Sequence, residues 1–341
     1  MNISRYFLFF LVVVAVGGTA KSGLLGHKND KGVVCKMDEE TEENFKLEDF
    51  DKLFVGDLVE AEKNLRTLLP QAKSLEDKSI YIQILSQIAL AEAVQKKFNA
   101  AHETLDHAET YLRDKYPLAR VRILLERGRV FFQQGNIEAA RPLFIKSFEL
   151  SAAHGFDYHT VNAAHMVPFV AKSADEKIEW NKRAIELAEK SSSIDAKQWL
   201  GSLYNNIGQA YLEAKQYTLA LSAFKKALEY REQENYLPNI RVAKWAVARA
   251  LRLNGEIHEA LPILLALLEE YEHMESTDSF DLPIELIRSS RGLVFEELAE
   301  IGGEKSKTYA VLAYDDLAQD EWFVRLESER LERLKLLGDI K

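Results

Sequence analysis

The chain has 341 residues, 47% hydrophobic and 29% charged, with a net charge of −10. That composition excludes wholesale disorder, and 16 Gly with 7 Pro exclude a collagen-like or proline-rich chain. The single cysteine, Cys35, excludes a disulfide framework and a cysteine-based zinc site, and the net acidity argues against nucleic acid as a partner.

Residues 1–20 combine a short start carrying Arg5, an eleven-residue apolar run Tyr6–Val16 and the small residues Gly17, Gly18 and Ala20. This is the pattern of a secretory signal peptide, because the apolar run falls short of the ~20 residues that cross a bilayer. A short uncleaved membrane anchor over residues 6–20 is the alternative. Export makes the chain periplasmic or secreted, and any membrane contact would run through this segment alone. No Asn-x-Ser/Thr sequon follows Asn2, which points away from a glycosylated secretory protein.

Residues 21–44 lack helical periodicity and read as a flexible acidic leader. The window Asp38–Asp51 sets eight acidic residues against Lys46, so most of the net charge is local. The expectation there is a solvated run rather than an electrostatic tail for a basic partner. Cys35 is expected to be a free thiol in that leader.

From residue 45 to residue 338 the chain repeats itself. In Ser202–Tyr230, Tyr204, Ile207, Gly208 and Tyr211 are followed by Ala220, Phe224 and Ala227. Small residues recur at Ala89, Gly128, Gly208, Ala248 and Gly292, and opening alanines at Ala61, Ala101, Ala140, Ala220, Ala260 and, more loosely, Ala310. Four residues after each alanine stands a large side chain: Leu65, Leu105, Phe144, Phe224, Leu264 and Tyr314. Turn glycines fall in register at Gly56, Gly135 and Gly255. The pair over Asp157–Lys190 is degenerate, with His165, Lys177 and Asn181 in the signature places. The first helix, around Phe45–Phe54, is weak, and the Ile301–Lys307 turn is long.

This spacing resembles the tetratricopeptide repeat. Its period near 40 and the Asn205-Asn206-Ile207-Gly208 sequence are similar to the extended repeats of kinesin light chains. The resemblance implies an all-α fold: a right-handed superhelical α-solenoid of about seven antiparallel helix pairs. Glu321–Leu337 reads as a C-terminal capping helix with an apolar stripe at Phe323, Leu326, Leu331 and Leu334, as the end of a solenoid requires.

The chain has no P-loop, nucleotide-binding glycine motif, nucleophile elbow or His-Glu-x-x-His helix. His102/His107 and His154/His159/His165 lack the one-turn spacing of a helical metal site. No catalytic residue, metal site or cofactor is expected, and the chain is read as a non-enzyme.

In such a repeat the concave lining falls three before, one after and four after the small residue. Through the middle of the chain those places hold Leu125, Arg129 and Phe132; Asn162, Met166 and Phe169; Asn205, Gln209 and Leu212; and Trp245, Arg249 and Arg252. The candidate partner-binding groove is therefore Arg129, Phe132, Asn162, Asn205, Gln209, Trp245, Arg249 and Arg252, a stripe without a carboxylate. The next set, Ser289, Leu293 and Glu296, loses the basic character. Arginine forks match carboxylates and carboxamides bond extended backbone, so the expected partner is a protein or extended peptide, presenting either an acidic or a C-terminal segment. The family resemblance implies that Asn205 contacts peptide backbone. The dicarboxylate clamp of chaperone-binding repeats is not reproduced, since Val242 and Ala246 replace its basic residues.

The function expected is a protein–protein interaction scaffold of an exported compartment, binding a peptide or protein segment in the concave groove. The alternative is a peptide-responsive regulator whose superhelix changes on binding. Replacing Arg249 and Arg252 by Glu is expected to abolish capture and leave helical content intact.

Overall fold

The computed structural model describes residues 47–53, 58–277 and 280–340. The leader at 1–20, the segment 21–44, Cys35 and Gly56 lie outside the described residues. The described chain is all-α and falls into two compact units, one running to Trp199 and the other from Leu200 onward. Among the described residues, no helix is long and apolar enough to cross a membrane.

The N-terminal unit begins with a 3-10 helix, Leu47–Leu53, followed by α1 (Leu58–Ser74). Three hairpins follow: α2 (Ser79–Val94) with α3 (Phe98–Thr110), α4 (Pro117–Gln133) with α5 (Ile137–Ala153), and α6 (Asp157–Met166) with α7 (Ala174–Lys190). A single turn, α8 (Ile194–Lys197), closes the unit. The weak first helix of the sequence is thus a seven-residue 3-10 segment, which buries Phe50 and Leu53 beside Leu65 and Tyr81. Helix α2 is buried all round from Tyr81 to Ala93, the polar Gln83, Ser86, Gln87 and Glu92 included, as a helix flanked by neighbours must be. Pro117 starts α4, where its missing N–H has no helical partner to lose. Asn136 caps α5 by accepting from the Ala139 N–H at 3.2 Å.

The hairpins close through small-to-large contacts. A Cβ placed on Gly128 would stand 2.6 Å from the Phe144 ring, so only glycine lets α4 and α5 approach this closely. Ala89, Ala101, Leu105, Ala140 and Phe144 are all fully buried. Gly135 turns the chain at φ 81°, and at the matching turn of the preceding hairpin Lys96 adopts φ 63° without glycine. The turn geometry, not the residue, is what recurs.

The degenerate pair departs where Pro168 withholds an N–H. Helix α6 stops after ten residues and passes into a 3-10 turn, Val167–Val170. His165 takes the place of the small residue, fully buried with its ring 4.8 Å from that of Trp199. Asn181 stands where other repeats open with alanine, and it bonds back to the Lys177 carbonyl at 2.9 Å.

The C-terminal unit stacks α9 (Leu200–Glu213) with α10 (Tyr217–Glu234), α11 (Leu237–Leu253) with α12 (Ile257–Thr277), and α13 (Ile284–Ile301) with α14 (Ser306–Leu317). A Cβ on Gly208 would lie 2.7 Å from the Phe224 ring. On Gly292 it would meet Leu317 at 2.8 Å and Asp316 at 2.9 Å. The last hairpin therefore uses Ala313 and Leu317 as its small–large pair, both fully buried, and not Ala310 with the half-buried Tyr314. The shift follows from the turn after Ile301, where Gly302 and Gly303 both take positive φ before α14 begins. The expected single capping helix is two: α15 (Glu321–Leu326) and α16 (Ser328–Gly338), which bury Phe323, Leu331 and Leu334.

Two expectations follow. Gly208→Ala should lower stability by about 1–3 kcal/mol in urea unfolding, because the added methyl overpacks the Phe224 ring, and pairing it with Phe224→Leu should recover part of the loss. His165 is held neutral by burial and by Arg129, which bring its pKa down to about 3 from its ordinary 6.5. Between those values the unfolded chain binds the extra proton, so stability is complete above pH 6.5 and falls as the pH drops. At pH 5 this amounts to about 2 kcal/mol. Unfolding of wild type and His165→Leu at pH 7.5 and pH 5 should show the acid-induced loss smaller in the variant by that amount.

Candidate functional site: the faces of the first helices

In the N-terminal unit the first helices α2, α4 and α6 lie in sequence across one face. The three groove residues expected there are brought together. Arg129 donates from Nη2 to Asn162 Oδ1 at 2.6 Å, bridging α4 and α6. Beside that bond the Phe132 and Phe169 rings stand 6.0 Å apart. All four side chains are buried, so this row is packed as well as aligned.

Arg129 and Asn162, but not the two phenylalanines, border a cleft of about 270 Å³, lined also by Asp51, Gln87, Leu90, Arg122, Leu125, Glu126, Tyr158, His159 and Asp195. The sequence frame contained Leu125, Arg129 and Asn162 and missed the others. Arg122 precedes Arg129 by seven residues and Tyr158 precedes Asn162 by four, so the frame carried two turns upstream would have reached them. Asp51 had no such signal, because it belongs to the 3-10 helix.

The electrostatics of the cleft are balanced rather than basic. Arg129 donates from Nη1 to Glu126 Oε1 at 2.7 Å, and Arg122 donates from Nη1 to Asp51 Oδ1 at 2.9 Å and from Nη2 to Asp51 Oδ2. Asp51, Glu126 and Asp195 thus offset the two guanidinium groups. Burial pushes the Glu126 carboxyl up against the opposing pull of Arg129. Burial also pushes the Tyr158 hydroxyl up to about 12, and burial with Arg122 and Arg129 holds His159 neutral. Among the described residues, the Nε atoms of Arg122 and Arg129, Glu126 Oε2 and His159 Nδ1 make no hydrogen bond. Unpaired buried polar atoms of this kind are uncommon in a packed interior, and each costs about 1–3 kcal/mol.

In the C-terminal unit Asn205 and Gln209 are half-buried on α9, and Gln209 reaches Glu213 at 3.4 Å. Trp245 donates its indole N–H to the Leu293 carbonyl of α13 at 3.2 Å and carries the Arg249 guanidinium 5.4 Å from its ring. Arg249 and Arg252 both turn to Glu297, at 3.4 and 2.6 Å. Next to them Glu296 accepts from Arg330 at 2.6 Å and from Arg333 at 2.5 Å. Although burial opposes it, Arg330, Arg249 and Arg333 hold Glu296 below the usual carboxylate range.

The basic stripe expected here is therefore an internal ion-pair network between α11, α13 and α16. Glu297 falls one residue beyond the lining position Glu296, which is why the frame passed over it. Substituting Glu for Arg249 and Arg252 would set like charges against the buried Glu297, and so act on folding as well as on any surface. Among the described residues, no group of three or more His, Cys, Asp or Glu side chains could hold a metal ion.

Residues 201–234, the α9/α10 hairpin, match the tetratricopeptide repeat model. Among solved structures, the apo form of RapI is 15% identical, covers 86% of this chain and 93% of its own, and superposes with a TM-score of 0.59. BtubC from P. vanneervenii is 14% identical over 70% of this chain and 95% of its own, with a TM-score of 0.55. A Rap protein complexed with competence and sporulation factor is 15% identical over 90% of this chain and 89% of its own, with a TM-score of 0.52. At these identities the similarity is one of fold. No curated protein matches the chain in sequence. The α9/α10 hairpin is thus a tetratricopeptide repeat by its sequence, and small–large helical hairpins of the same kind lie on either side of it.

Proposed function

We propose that the protein is a non-enzymatic interaction scaffold that holds an extended peptide or protein segment against the face of α2, α4 and α6. The observation that carries this reading is the cleft beside the Arg129–Asn162 bond, with buried polar atoms that have no partner within the described protein. A segment laid into the cleft gains by pairing with groups that are already desolvated and already fixed on rigid helices. Leu90 and Leu125 supply the apolar part of its lining. The fold-level likeness to a Rap protein complexed with competence and sporulation factor supports binding as the role. In the C-terminal unit the partly exposed Asn205 and Gln209 carboxamides are the candidates to bond peptide backbone, whereas Trp245, Arg249 and Arg252 serve first to join α11 to α13.

A second reading, a regulator whose helix stack changes on ligand binding, is favoured by the Pro168 break. Helix α6 gives way there to a 3-10 turn that starts five residues after Asn162, the kind of interruption that marks a hinge. The apolar run Tyr6–Val16 supports an exported setting, periplasmic or secreted, with anchoring by residues 6–20 as the alternative.

Immobilised full-length protein should capture members of a displayed random-peptide library. Gln87→Trp, which fills the cleft from α2, should weaken a captured peptide at least about tenfold in fluorescence anisotropy at unchanged helical content. Equal affinity in the variant would reject the cleft. Export is read separately: N-terminal sequencing of the mature chain should begin near Lys21, and an intact Met1 on soluble protein would reject it.

A further inference from the structure

The ion pair between Arg122 and Asp51 differs from the others in the N-terminal unit in where its two halves come from. Arg122 is buried on α4, on the same face as Arg129 and two turns before it. Among the described residues, every hydrogen bond it makes goes to Asp51, 71 residues away in sequence. The two groups meet fork to fork, and the Phe50 ring lies 5.1 Å from the guanidinium carbon. Asp51 is the more exposed partner: its side chain is 36% exposed against 8% for Arg122, and both line the cleft.

Arg129, by comparison, is tied to Glu126 of its own helix and to Asn162 of the next. Arg141 is tied to the Val170 carbonyl and to Glu176 of α7. The acceptors Asn162 and Glu176 belong to the regular helices α6 and α7. The Asp51 carboxylate is carried instead by a seven-residue 3-10 helix, whose described apolar contacts come from Leu47, Phe50 and Leu53. A rigid, buried cation is thus matched with a carboxylate on a small, edge-held element.

We propose that Arg122 is a carboxylate-recognition site in this cleft, that Asp51 occupies it as an internal stand-in, and that a ligand's carboxylate binds by taking Asp51's place. The inference rests on the reading that the cleft takes a peptide segment, and it names the group recognised: a free carboxylate, from a chain terminus or an acidic side chain. Guanidinium binds a planar carboxylate through two parallel hydrogen bonds, and Asp51 already shows that geometry at this arginine. One carboxylate replaces another, so the buried charge stays compensated throughout. The exchange also explains how a cleft with balanced charge takes an anionic group. The 3-10 helix then acts as a built-in competitor, and only ligands that outbid a tethered carboxylate are held.

The test uses full-length protein and sodium acetate as the probe. Asp51→Gly should melt several degrees below wild type. Acetate should restore at least half of that loss, whereas chloride or phosphate at matched ionic strength should not. Wild type and the double variant Asp51→Gly/Arg122→Gln should show no acetate-specific gain. A folded Asp51→Gly protein with no acetate-specific recovery overturns the proposal.

Should Asp51→Gly fail to fold, Asp51→Asn keeps the side-chain shape and removes the competing charge. It should bind a captured carboxylate-bearing peptide at least about tenfold tighter than wild type, and equal affinity overturns the exchange while leaving the peptide reading in place. Acetate recovery in a protein that captures no peptide supports the Arg122 site and rejects the peptide reading instead.

Discussion

The structure depends on a distance: the approach of a first helix that lacks side-chain bulk to a second helix that supplies it. At Gly128 against Phe144 and Gly208 against Phe224, a single added carbon would fall well inside van der Waals contact. The hairpin cannot open by an ångström to admit it without losing the dispersion contacts that hold it closed. Because the small residue sits mid-helix and the large one is four residues into its partner's buried stripe, each contact fixes the register and the separation of a hairpin together. The same demand is met by Ala89 with Leu105 and by Gly292 with Leu317, so the rule tolerates alanine and aliphatic residues provided that one side is small.

With the hairpins fixed, the first helices of each unit present their side chains in rows, and those rows decide where chemistry is available. In the N-terminal unit the row joins Arg129 to Asn162 and borders a polar cleft. In the C-terminal unit the equivalent positions are consumed in holding helices together, through Trp245 on the Leu293 carbonyl and through four arginines shared among Glu296, Glu297 and Glu300. A buried charge left without its partner is strongly destabilising, so these arginines are committed to the fold before any ligand arrives. The same residue types at the same frame positions therefore play different roles in the two units, and the deciding factor is whether the following helix supplies a carboxylate.

The sequence by itself determined that the chain is built of helical hairpins, and most of their small–large pairs. These features repeat with a local period, and each can be read from spacing alone. Its reading slipped at Ala310, where two glycines after Ile301 reset the register, and at Glu321–Leu337, where a break at Glu327 divides the capping segment. Arg129, Phe132 and Asn162 were also legible, because one face of a helix follows from the 3.6-residue turn.

Only the tertiary structure decided which charges meet. Asp51 with Arg122, Arg252 with Glu297 and Arg330 with Glu296 are separated by 71, 45 and 34 residues. No helical period relates such partners: they meet because separate elements pack against one another. Helical periodicity is a property of one segment, whereas compensation of a buried charge is a property of every segment that surrounds it.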